Sequence, residues 1–365
     1  MRTLTSSVRG VVRVTGNFQS ESVLNSLAQE AMLSAIESGW ADPKKIGQYP
    51  SKAAILRNGA IESLAHRLGL SPDQIEVTGE VGLSYFLSLA GLLDENKNLY
   101  SGAGDRSGVI ATVRSHKGPN FQIPLYRDGK LNFSTTVFAP NSVLAFQLGN
   151  GESGAINELP NEISKDLLIA VDSTATGARV KLPLRWDTAC FDSRSWDGPA
   201  GLAIVAINNA AQWKNPLPHI SSVRRTYGTY SLPLLLASAV ALENYRPSEV
   251  STRELTERFR TDISKALPDA LIAGELEKSM AHLTSLVIPR TNGEELLREL
   301  DRKGFAVDSG SACTAMNLQP SHVLSAMGLP TDGNIRIAIH TETTLEEITG
   351  LVNALVSAVQ SQQQR

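Results

Sequence analysis

DLLIAVD at residues 166–172 is a short, almost wholly apolar run that ends on an acid, and QIEVT at 74–78, VLAFQL at 143–148 and GLAIVAI at 201–207 are of the same kind. Runs of this length rich in β-branched residues read as strands, and strands apolar on both sides belong to a sheet that is covered on both faces. Working outward, residues 20–38 (SESVLNSLAQEAMLSAIES) place apolar side chains at helical intervals before Gly39, and residues 51–68 repeat the pattern. A further helical run, Leu232 to Tyr245, follows the turn-rich NPLPHISS at 215–222. Helical segments set between strands predict an α/β architecture with a largely parallel sheet. Beyond residue 246 the spacing predicts helix 251–266, strand 282–288, helix 293–302, strand 334–339 and helix 344–359, a second, smaller α/β domain.

The composition narrows the function classes. The chain has 365 residues, 42% hydrophobic and 19% charged, with 34 basic against 37 acidic side chains. That balance argues against nucleic-acid binding driven by bulk charge. No stretch approaches the roughly 20 apolar residues of a membrane span, and MRTLTSSVRGVV lacks the apolar block of a secretory signal, so a cytoplasmic location is expected. Cys190 and Cys313 form no CxxC pair and have no histidines at ligand spacing, so no metal site is expected. Cys190, beside Phe191, reads as a buried structural thiol, whereas small residues flank Cys313 on both sides and expose it on a loop, with a helix start near Pro320 and Ser321.

The segments VDSGSACTAMNLQPSHVLSAMG (307–328) and NIRIAIHTETTLEEI (334–348) carry the most specific signal. They resemble the C-terminal signature of the cysteine desulfurases, SSGSACTS…LEPSYVLRALG…SIRFS…TTEEEI, matching in order from Ser309 to Thr314, at Leu318, Pro320, Ser321, Val323, Leu324 and Gly328, and at Ile335, Arg336, Thr343, Thr344, Glu346, Glu347 and Ile348. Those enzymes depend on pyridoxal 5′-phosphate (PLP) and have the class V aminotransferase fold, PLP-dependent transferase fold type I. The resemblance implies a large domain with a mostly parallel sheet and a small C-terminal domain. It gives Cys313 the role of the loop thiol that takes up sulfur as a persulfide, and Arg336 that of the arginine that holds the substrate carboxylate. A guanidinium fork has the right shape for that task. VDSTATGA (171–178) resembles the family's VDATQSVG, which makes Asp172 the partner of the pyridine nitrogen, and Thr229 in YGTYS corresponds to the threonine donated across the dimer to the cofactor phosphate.

The same comparison exposes departures. FDSRSWDGPAGLAIVAI (191–207) resembles FSGHKxxGPKGIGALYV, and alignment on Gly198, Pro199 and Gly201 puts Ser195 at the Schiff-base lysine and Arg194 at the preceding histidine. A hydroxyl cannot replace an amine in that chemistry, and no lysine lies between Lys181 and Lys214. The ring-stacking histidine aligns with Arg106, which cannot shuttle protons because it stays charged; the glutamine after the aspartate becomes Ala175. Around the phosphate site Asp192 replaces a serine, and TGEVGLS (78–84) puts Glu80 and Val81 where the family has small residues.

The resulting expectation is a desulfurase relative degenerate for PLP catalysis, with PLP lost or held noncovalently, acting as a partner or regulatory subunit. The partner is a second copy or an intact paralogue. Two alternatives stay open: a sulfur-relay enzyme that passes sulfur from a Cys313 persulfide to an acceptor protein, and an active enzyme that binds PLP in a non-standard way. The expected organisation is residues 1–44 packed with the small domain, 45–245 as the large domain, and 246–365 as the small domain carrying the cysteine loop. Trp186, Trp196 and Trp213 are expected in the core rather than in a refilled pocket, and His322 is expected to face solvent.

Overall fold

The computed structural model describes residues 16–218, 230–310 and 320–364. The chain opens with β1 (Asn17–Phe18), α1 (Ser26–Ser38) and α2 (Gln48–Leu68). There follow β2 (Ile75–Thr78), α3 (Val81–Ala90), β3 (Asn98–Gly102), α4 (Ser107–Ser115), β4 (Asn120–Ile123), β5 (Ser142–Gln147), β6 (Leu168–Asp172), β7 (Thr188–Asp192), β8 (Ala203–Ile207) and α5 (Leu232–Asn244). The remainder runs α6 (Glu249–Ala266), β9 (Leu271–Ala273), β10 (Leu283–Val287), α7 (Gly293–Arg302), β11 (Ala306–Val307), α8 (His322–Ala326), β12 (Asn334–Ala338) and α9 (Leu345–Gln363).

Seven strands form the large sheet in the order β2-β8-β7-β6-β5-β3-β4. β4, β3, β5, β6 and β7 run parallel, and β8 is antiparallel to both β7 and β2. The buried runs of β5, β7 and β8 explain the sheet's position, because every residue in them is shielded from solvent. One face packs Leu64, Phe146, Phe191, Trp196 and Leu235 under α2 and α5. The other packs Leu87, Leu99, Val143, Cys190 and Trp213 under α3 and α4. The α/β fold with a mostly parallel sheet is therefore as expected, and Trp186, Trp196 and Trp213 pack into or against the core. A smaller antiparallel sheet, β12-β10-β9, lies with α6, α7 and α9 around Phe259, Leu286, Ile335 and Leu355.

One expectation needs correction. The first helix begins at Ser26, not near residue 20, because the Asn25 side chain accepts from the Leu27 N–H at 2.9 Å and caps it there, leaving 19–25 outside the helix. Within residues 1–44, the described part from residue 16 contacts both domains. β1 pairs with β11 and Phe18 enters the small core, but α1 lies on α5, with Ala28 in the large core. The apolar stripe of α1 matches the large domain, and the segment between β1 and α1 crosses from one domain to the other.

Candidate functional site

Parallel strands end on one edge of their sheet, and in α/β folds that edge carries the ligand site. Register puts Gln147 beside Asp172, and Asp172 beside Cys190 two residues before Asp192, so β5, β6 and β7 deliver a row of polar termini. Asp172 Oδ1 accepts from the Thr174 N–H at 2.9 Å and its hydroxyl at 2.6 Å. Its Oδ2 is buried, has no hydrogen-bond partner and lies 3.8 Å from Arg106 Nε, itself without one. Arg106 stands just before α4, and the Tyr85 hydroxyl together with Asp172 and Asp192 pushes its pKa further up, so it is a fixed cation.

After β7 the chain makes a tight turn, residues 193–196, in which the Ser195 hydroxyl donates to the Asp192 carbonyl at 2.6 Å. Gly177, at φ +52°, lies so close that a Cβ there would collide with this hydroxyl. Arg179 Nη1 donates to the Ser195 carbonyl at 3.0 Å and stacks over Tyr245, 5.0 Å from the ring centre. Arg194 turns back onto Asp192 at 2.7 Å and lies 3.5 Å from Glu21.

From the small domain, β12 contributes Arg336, whose guanidinium donates to Gly151 O at 3.2 Å, Ser20 Oγ at 3.4 Å and Asp308 Oδ2 at 2.8 Å. His282 stands just before β10; burial, then Arg179 and His340, hold its pKa well below the usual value, so it is neutral. Arg106, Arg179, Asp192, Ser195, His282 and Arg336 line one cavity of about 290 Å³ between the domains, together with Ser20 and Glu21.

The structure thus brings Arg336, Arg106 and Ser195 to one cavity, with Asp172 at its edge on Arg106. Cys313 and Thr229 lie outside the described residues. The residues flanking the Cys313 segment meet at one carboxylate: Ser321 Oγ donates to Glu152 Oε1 at 2.6 Å, and Gly310 packs directly on the Glu152 side chain. Burial pushes the Glu152 pKa up, against the Ser321 hydroxyl and Arg336. Cys190 is buried, and burial followed by Asp172 raises its thiol pKa, which makes it inert. His322 is exposed as a residue, yet its Nε2 lies 2.9 Å from the Asp105 carbonyl.

Among the lining or adjoining residues that were not legible as site residues are Glu21, Arg179, His282 and Asp308. The first three carry no motif. Asp308 did leave a signal, since it stands where the desulfurase pattern SSGSACTS has its first serine.

The aminotransferase class-V family model matches residues 109–351. The chain belongs to that family. The cysteine desulfurase IscS of Methanosarcina thermophila is 24% identical over 364 residues, covering 91% of this chain and 88% of that one. The cysteine desulfurase NifS of Azotobacter vinelandii is 22% identical over 351 residues, covering 88% and 87%. Among solved structures a NifS-like protein superposes with a TM-score of 0.84 at 19% identity, over 95% of this chain and all (100%) of that one.

Class-V membership implies PLP, and the residues present do not fit a lysine-held, phosphate-anchored cofactor. Every lysine of the sequence falls among the described residues, and none lines the cavity. The N-terminus of α3, whose free amides suit an anion, is capped by the chain's own Glu80, whose Oε2 accepts from the Leu83 N–H at 2.7 Å. Asp172 Oδ2, which has no hydrogen-bond partner, suits the ring nitrogen, but Arg106 Nε lies 3.8 Å from it. Among the described residues no cluster of three or more His, Cys, Asp or Glu side chains is placed to hold a metal, and no helix is long and apolar enough to cross a membrane.

Proposed function

We propose that this class-V aminotransferase-family chain is a cysteine desulfurase-like protein that does not perform Schiff-base chemistry and serves as a partner or regulatory subunit. The observation that carries the reading is the lysine-free cavity, with Ser195 tied back to Asp192 at the position of the family's lysine. The Arg106–Asp172 ion pair and the Glu80 cap on α3 support it, because each puts a charge of this chain where the cofactor needs a complementary group. A partner is supported by α1, the segment after it and the start of α2, where Leu33, Ile36, Trp40, Ile46 and Tyr49 are exposed; Trp40 is 69% exposed and packs its ring 5.6 Å from that of Tyr49. Exposed aromatic clusters of this kind mark protein contacts.

The test is to purify the chain alone and co-expressed with a lysine-bearing class-V relative, weigh the complexes by light scattering, and assay alanine and sulfide release from cysteine. The expected result is no release by the chain alone and a stable dimer, either of the chain or mixed. Release by the chain alone, or a monomer that associates with neither, contradicts the reading. A second reading, sulfur relay through Cys313, draws on Glu152, which accepts from Ser321 and packs on Gly310 at the two flanks of the Cys313 segment. Its test is persulfide labelling of Cys313 after mixing with a sulfur-loaded desulfurase.

A further inference from the structure

We infer that Asp308, with residues 19–22 laid over it, is a built-in occupant of the Arg336 guanidinium and makes the cavity exclude free small carboxylates. Arg336 and Asp308 are 2.8 Å apart with side chains only 16% and 15% exposed, so solvent screens the pair little. The Ser20 N–H donates to the same Asp308 Oδ2 at 2.8 Å, which fixes that carboxylate against the fork. The covering segment is tied to both domains. Gln19 O lies 2.8 Å from His340 Nε2, Ser22 Oγ donates to Asp197 Oδ1 at 2.6 Å, and Glu21 reaches Arg194. A tethered carboxylate competes at an effective concentration far above that of a dissolved one. Arg336 Nε is buried and has no hydrogen-bond partner, so the guanidinium retains a donor for a second acceptor once its occupant is removed. A planar fork takes a carboxylate on two N–H groups, which sets the class of the excluded ligand. The inference concerns the cavity alone and holds with or without a partner subunit.

The experiment is titration of the full chain with propionate and L-alanine, followed by ligand-observed NMR and thermal shift. Asp308→Asn keeps an acceptor for the Ser20 N–H but removes the charge. It is expected to bind propionate at least ten-fold more tightly than the native chain, to gain thermal stability from propionate that the native chain does not, and to lose both effects when Arg336→Gln is added. Equal affinity in the native chain and Asp308→Asn, no binding by a folded Asp308→Asn, or a gain that survives Arg336→Gln overturns the inference. Should Asp308→Asn not fold, Asp308→Ser removes the charge and keeps a hydroxyl that can accept from the Ser20 N–H. Tighter propionate binding by that variant supports the inference, and unchanged affinity overturns it.

Discussion

Ser195 is held by its neighbours rather than merely present. Its hydroxyl donates to Asp192 O, its carbonyl accepts from Arg179, and Gly177 leaves it room. Gly177→Ala imposes a positive φ on a side-chain-bearing residue and a collision with Ser195, and urea unfolding is expected to show a loss of about 2 kcal/mol. Glu152 behaves differently. Burial raises its pKa, so the unfolded chain ionises before the folded one and stability falls as pH rises above about 4.3, the unfolded value. Glu152→Gln keeps an acceptor for Ser321 and removes that penalty, so its Tm at pH 7 is expected to equal or exceed the native one. A lower Tm would contradict this account of the site. Ser195 was legible because the glycines and proline after it fix the alignment. Glu152 was not, since nothing in GNGESGA announces a carboxylate shielded by a distant serine.

Elements were legible where a cap and a periodic face agree. The α7 helix was read at both ends, 293–302, because an asparagine precedes it and glutamates fill its first turn. Its neighbour α9 carries a reciprocal Thr344–Glu347 capping box and extends past the predicted end at 359 to Gln363. The start of α1 was misread because SESVLN offers several capping residues, and only the crossing of 19–25 between domains selects Asn25. At the head of α3, Glu80 is a weaker N-cap than serine, asparagine or aspartate, yet it occupies the amides. Glu80→Ala removes its hydrogen bond to Leu83 N–H, and chemical denaturation is expected to register a loss of about 1 kcal/mol. Glu80→Ser, which caps without a charge, is expected to lose less than about 0.5 kcal/mol.

At the scale of the molecule the two domains meet through charged groups, and that meeting was the least legible part. Arg336 on β12, Asp308 after β11 and Glu21 before α1 are far apart in sequence, and only the packed domains bring them together with Arg194. His282 belongs to the same interface. Its folded pKa lies well below the unfolded value of about 6.5, so its contribution to stability is present above that pH and is lost as pH falls below it, where the unfolded chain takes up the proton first. Urea midpoints measured from about pH 7.5 to 5.5 are expected to fall less in His282→Asn than in the native chain; parallel slopes would show that His282 is not neutral in the fold. The central claim, that this class-V chain has no lysine to hold PLP, is tested most directly by incubating it with PLP, reducing with borohydride and mapping the peptides by mass spectrometry. The account predicts no stoichiometric pyridoxyl adduct on any lysine of the chain. A single stoichiometric adduct on Lys181, Lys214 or any other lysine, accompanied by retained yellow colour before reduction, would contradict it.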